Sequence, residues 1–248
     1  MDAAQTIRDA VARVDRIRVE ANSDPNLQSA IASIKSFQAR RFAGTYADLL
    51  ATLEFGPAAQ FFLDDLYSDK DYSLRDAQFA RIAGGLQKIF PQQVVSTAVS
   101  LAELHVLTEE LDRQMAEAWI CSGSTLKTDD ISRYVECWNA VDKEIERNQQ
   151  LQMVLSIGVE LDRLTRVPGL RMMLRMMRRP ATTMGMGSLQ AFLESGFDIF
   201  AHMAGKGVGA QIFLSTIRER ESNWIRQLSN TKSSESIDQL QTCLASAR

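Results

Sequence analysis

Cysteine and histidine are both scarce in this sequence, and each scarcity narrows what the chain can do. The three cysteines, Cys121, Cys137 and Cys243, are odd in number and lack metal-type or redox-type spacing, which argues against a disulfide framework and fits a reducing compartment. With only His105 and His202 present, a nucleophilic triad would have to recruit one of them from afar, and no serine sits in a recognised nucleophile elbow. A basic excess is also missing. The formal charge is −3 and the pI about 5.5, so a surface built throughout for nucleic acid is not expected and no specific nucleic-acid signal appears.

Two targeting features are absent as well. The opening MDAAQTIRDAVARVDRIRVE mixes acids and arginines where a secretory signal needs a positive start and an apolar stretch, so this segment is expected to stay in place. No run approaches the roughly 18 apolar residues of a membrane span. The charge-free run from Ile89 to Ala102 contains Pro91, two glutamines, two serines and a threonine. A cytoplasmic protein is the expectation.

Alternating β-branched runs bounded by turns are missing too, and apolar residues recur at three- and four-residue intervals instead. The expected fold is all-α, an irregular bundle of eight or nine helices arranged as two halves, with no sheet. Apolar residues at 45% and charged residues at 24% are enough for a sizeable core. The five prolines, Pro25, Pro57, Pro91, Pro168 and Pro180, each fall at an expected helix start or stop. The organisation expected is an N-terminal helix over 1–23, a helical half over 24–122, a second half over 128–230, and a polar, partly mobile tail over 231–248 with a helical turn or two near Ile237 and Leu240. SGSTLKT at 122–128 marks the boundary between the halves.

Within this plan, Asp24 caps a helix that begins at Pro25 and runs toward Leu50. PAAQFFLDDLY gathers Phe61, Phe62, Leu63, Leu66 and Tyr67. Another helix starts at Ser73, with Asp76 in its first turn. From Pro91 the longest helix carries an apolar stripe that shifts from Val94, Ala98, Leu101 and His105 to Leu104, Leu107, Leu111, Met115 and Trp119. Thr128 caps a long stretch that kinks near Asn148 and ends at Val167-Pro168-Gly169. A short helix from Leu170 to Arg179 and a loop through Pro180 to Gly187 follow it, and two further helices complete the bundle.

The most informative local feature is residues 163–193, which hold six arginines (163, 166, 171, 175, 178 and 179) and no acid. Six positive charges within a chain of −3 leave −9 for the remainder. Arg171, Arg175, Arg178 and Arg179 share one side of the short helix, with Leu170, Met173, Leu174, Met176 and Met177 on most of the other. Such a helix suits a protein partner or an anionic surface, and methionine suits an adaptable contact. The alternative is that the methionines pack on the preceding helix while the arginines pair with neighbouring acids. Self-association is compatible with either.

Other candidates carry weaker signals. His105, on the apolar stripe with Phe61, Phe62, Tyr67 and Phe79 nearby in sequence, is the residue a haem or other apolar ligand would use in a globin-like pocket. The simpler reading is a hydrogen-bonded core histidine. Asp64, Asp65, Asp69 and Asp71 lack the spacing of a calcium loop, so no metal site is expected. Gly205-Lys206-Gly207-Val208-Gly209 reads as a helix stop and restart rather than a phosphate loop. Glu103 and Asp112 are available carboxylates without a motif around them. No catalytic residue and no cofactor is assigned, and the chain reads as non-enzymatic.

The stretch from LQSAIASIKSFQARRF through FFLDDLY and SLRDAQFARI, with FPQQVV, LAELHVLTEELD, GVELDRLTRVPGL, LRMMRRPA and GSLQAFLESGFDIFAHM, resembles a family of uncharacterised, proteobacterial-type helical proteins. The resemblance implies a bacterial cytoplasmic helical protein and assigns no functional residue. The chain departs from the family pattern at Ser68-Asp69 and at Gly84-Gly85, both turn or kink positions.

Overall fold

The computed structural model describes residues 2–66, 72–89, 91–122, 129–205, 207–230 and 233–247. Helices α1 (Ala3–Ser23), α2 (Pro25–Thr45), α3 (Ala47–Leu50) and α4 (Gly56–Phe61) lead into a π-helical turn, Phe62–Leu66. Then come α5 (Ser73–Ile89), α6 (Gln92–Ser122), α7 (Asp130–Val141), α8 (Glu144–Thr165), α9 (Leu170–Met176), α10 (Arg178–Thr183), α11 (Gly187–Ala204), α12 (Gly209–Leu228) and α13 (Ser233–Ser246). Among the described residues no strand occurs and no helix is long and apolar enough to cross a membrane. The fold is all-α.

The helices outnumber the expected eight or nine because several expected long ones are interrupted. The helix from Pro25 stops at Tyr46, whose φ of −113° and ψ of 20° leave the helical region, and α3 restarts beyond it. The stretch expected to run from Thr128 to Arg166 with a kink near Asn148 divides earlier, at Asp142. Asp142 takes a left-handed conformation, φ 48°, which the short polar side chain of aspartate tolerates better than most residues. Thr128 lies outside the described residues. Asp129 is the cap of α7, accepting from the backbone N–H groups of Ile131 and Ser132, both at 2.9 Å. At α2 the expected cap holds: Asp24 accepts from Asn26 N at 2.9 Å with Pro25 in the first turn.

Contacts divide the chain into two compact units, each drawing segments from both sides of 122–128. One takes Met1–Asp15, Lys70–Val106 and Met153–Ser215; the other takes Arg16–Asp69, Leu107–Gln152 and Thr216–Arg248. The first unit buries Ile7, Ala83, Val95, Ala98, Leu164, Leu170, Leu174 and Phe197. The second buries Ile34, Phe37, Met115, Trp119, Tyr134, Leu228 and Leu240, with the Phe37 and Tyr134 rings stacked at 4.1 Å. The shift in the apolar stripe of α6 has its counterpart here, since Val95 and Ala98 serve one core and Met115 and Trp119 the other.

Within the C-terminal segment, where the spacing predicts a helical turn or two near Ile237 and Leu240, Ser233–Ser246 form a full helix, α13. Helix α13 lies against α2 and α7, with Leu240 fully buried and Ile237 and Leu244 against the same core. Three- and four-residue spacing of these apolar residues supplies the packed face. At Gly44 of α2 an added Cβ would sit 1.9 Å from the Cys243 carbonyl oxygen. A glycine in the last turn of α2 is required here by the closeness of the two backbones.

The second unit also buries a polar network. Arg41 forks onto Glu221 at 3.1 and 2.9 Å, and the Tyr46 hydroxyl donates to the same carboxylate at 2.9 Å. Lys35 Nζ reaches both oxygens of Glu109 at 2.9 and 3.0 Å. Asp112, one turn further along α6, receives the Gln38 amide at 3.0 Å. Burial raises the Asp112 carboxyl above its ordinary value, against the opposing pull of Lys35 and Arg147. A carboxyl held above its unfolded value favours the fold when protonated, so its contribution is complete below the unfolded pKa of 3.8 and is lost as pH rises through the folded one. Asp112→Asn should therefore gain stability relative to the native chain as pH rises from about 4 to about 7. Paired urea titrations test this, and a difference that shrinks with rising pH contradicts it.

Candidate interaction surface

The arginine-rich segment lies wholly in the first unit, where α8, α9, α10 and α11 follow one another in sequence. Gly169, with φ 81°, turns the chain out of α8 and into α9. At about 100° per residue, Leu170, Met173 and Leu174 fall on one side of α9 and enter the core. Arg171 and Arg175 form a row one turn apart on the opposite side, and Met172 and Met176 form the adjacent row. All four are exposed, Met172 at 66% and Met176 at 65%. Met176, expected on the apolar side, thus faces outward.

The helix expected to run from Leu170 to Arg179 stops at Met176, and α10 occupies part of the expected loop. Pro180 is the third residue of α10, where its missing N–H is one the first turn leaves unbonded in any case. Arg178, Arg179 and Met184, which follow in and just after α10, are exposed as well, Met184 at 50%.

Helix α11 supplies the acids that meet these arginines. It is itself positioned by α5: Gln78 Oε1 accepts from Leu189 N at 2.9 Å near the start of α11, and the Arg75 guanidinium lies 4.0 Å from the Tyr72 ring and 4.4 Å from that of Phe192. Asp198 then accepts from Arg171 Nε at 2.8 Å and lies 3.9 Å from Arg175. Glu194 accepts from Arg178 Nε at 2.6 and 2.8 Å and from Gln190 Nε2 at 2.7 Å. The bond from Arg178 holds the Glu194 carboxyl below its usual range and the Arg178 guanidinium above its own. The side chains of Arg171, Arg175 and Arg178 stay more than half exposed despite these pairings.

Arg179 is exposed, and its guanidinium makes no hydrogen bond or ion pair with a described residue. Four guanidiniums facing two carboxylates leave a surplus of two positive charges. Arg163 and Arg166 are paired along α8 with Glu160 at 2.7 Å and Asp162 at 3.3 Å. Met173 packs inward and three arginines find neighbouring acids, while Met172, Met176 and the outer edges of the guanidiniums face solvent. Met172 escaped the sequence argument although its four-residue offset from Met176 places the two in one row. Glu194 and Asp198 were invisible as partners because only tertiary packing brings α11 to α9.

His105 of α6 sits with its Nε2 3.0 Å from Asp76 Oδ2 on α5, so a nitrogen that would bind haem iron is already engaged. A largely buried carboxylate gives the imidazole a polar partner. Of the aromatic residues near it in sequence, Phe79 belongs to the same unit, Phe61 and Phe62 to the other, and Tyr67 lies outside the described residues. Asp64 accepts from Gln60 at 2.9 Å; the Asp65 side chain, Asp69 and Asp71 lie outside what is described. Among the described residues no cluster of three or more His, Cys, Asp or Glu is placed to hold a metal ion. The glycine-rich segment does separate two helices, α11 ending at Ala204 and α12 starting at Gly209; Lys206 is not described.

A family model described as a domain of unknown function, DUF8198, matches residues 18–235. The chain belongs to that family, and the match includes the whole of α9, α10 and α11. No curated protein matches the chain, and no solved structure does.

Because the Arg171–Asp198 pair is solvent-exposed on both sides, it contributes little to holding α9 in place. Asp198→Asn should cost less than about 1 kcal/mol, a fall in Tm of no more than roughly 2–4 °C. Differential scanning calorimetry measures this; a drop well beyond that range would show that the pair, rather than the core, anchors the helix.

Proposed function

We propose that this member of the family is a non-enzymatic, cytoplasmic interaction or regulatory protein, and that the arginine–methionine ridge of α9 and α10 is the surface it offers to an anionic partner. The supporting observation is the ridge itself, four exposed arginines and three exposed methionines on a segment without an acid, in a chain whose remainder is negative. A guanidinium can fork onto a carboxylate or phosphate while stacking on apolar surface. Methionine, unbranched and polarisable, fits itself to varied partners. The three free cysteines, Cys121, Cys137 and Cys243, support a reducing location.

The test is affinity capture from native lysate, run beside sedimentation with phosphatidylserine vesicles, using the native chain and the Arg171→Glu/Arg175→Glu/Arg179→Glu variant. Whatever the native chain retains should fall at least about tenfold in the variant, since reversing charge converts attraction into repulsion. Equal retention by both proteins in both arms would overturn the proposal.

A further inference from the structure

Resting on the reading just given, we infer that the partner at this ridge is an acidic amphipathic helix of another protein, with aliphatic side chains over Met172 and Met176 and carboxylates on Arg171, Arg175 and Arg179. An in-plane membrane helix must free a broad apolar face to enter the bilayer, and in α9 that face is already spent: Leu170 and Leu174 are buried in the core of their own unit. What remains outward is two parallel rows, one of arginine and one of methionine, each with members four residues apart. Four residues of helix rise about 6 Å, so a second helix lying along α9 presents its own four-residue rows at matching spacing.

Charge complementarity selects an acidic occupant. Asp198 takes the Nε edge of Arg171 and leaves its two terminal nitrogens for a bidentate acceptor. Arg175 stands 3.9 Å from the same carboxylate, and Arg179, exposed on α10 beyond the break at Met177, adds a further positive charge. A helix carrying Glu or Asp along one row and Leu or Ile along the next satisfies both at once. Asp198 of α11 orients the Arg171 guanidinium before the partner arrives and lies beside that of Arg175, which lowers the ordering cost of binding.

Fluorescence anisotropy on the full chain tests this with a labelled synthetic helix of about 18 residues carrying glutamate and leucine rows at four-residue spacing. A scrambled peptide of identical composition and phosphatidylserine vesicles are the other two arms. The patterned peptide should bind at least about tenfold more tightly than the scrambled one. Met172→Ser/Met176→Ser, substitutions at exposed positions, should weaken it about tenfold with circular dichroism unchanged. Equal binding of both peptides, or Met172→Ser/Met176→Ser binding like the native chain, overturns the inference. Binding to vesicles but not to the patterned peptide, lost on arginine reversal, also overturns it while leaving the broader anionic-surface proposal standing; arginine reversal without effect on any arm removes both.

Discussion

Burial of Leu170 and Leu174 fixes which way α9 faces, and the character of the candidate surface follows from that rotation. A helix of seven residues has almost no stability of its own, so packing decides its orientation. Burying each leucine contributes about 1.5–3 kcal/mol, whereas an exposed ion pair such as Arg171–Asp198 contributes under about 1 kcal/mol. The apolar anchors therefore win, and the ion pairs adjust to them. Turning α9 by one residue in one direction, about 100°, would carry Arg171 and Arg175 into the core, where an unpaired guanidinium is prohibitively costly; turning it the other way would replace the two leucines by Gly169 and a methionine and lose apolar burial. Arginine and methionine are displayed because Leu170, Met173 and Leu174 already fill the inward side.

The second unit handles its arginines in the opposite way. Arg41 is buried, but Glu221 meets it with both oxygens and Tyr46 adds a third donor to the same carboxylate. Removing one partner of such a pair leaves an uncompensated charge and costs about 3–5 kcal/mol, so this network fixes α2 against α12 rather than offering itself to a ligand. Accessibility, more than the count of charges, separates the two sets. Arg41 is closed off by its partners, while Arg171, Arg175 and Arg179 keep donors facing water.

Much of the fold was legible in the sequence wherever local chemistry decides the outcome. Asp24-Pro25 announces the start of α2, Ser73 the start of α5, and the shifting stripe of α6 foreshadows a helix that serves two cores. Breaks governed by finer balances were not legible. Asp142 stops α7 by taking a left-handed conformation that no glycine advertises, and Pro180 is accommodated inside α10 because it falls in the first turn. Of helix α13 only a turn or two near Ile237 and Leu240 was legible among polar neighbours, although Leu244 continues the same helical spacing. For the surface, the arginines and the inward leucines could be placed from periodicity alone. The outward turn of Met176 depends on where the core lies, and the acids that orient the arginines come from 16 and 27 residues away.

The orientation of α9 is most directly tested by brief treatment of the native protein with dilute hydrogen peroxide, followed by peptide mass spectrometry of methionine sulfoxide formation. Met172, Met176 and Met184, at least half exposed, should oxidise fast, with Met173 slower and the buried Met115, Met186 and Met203 slowest. Oxidation of Met172 and Met176 as slow as that of Met203, or a uniform rate along 172–177, would contradict the account.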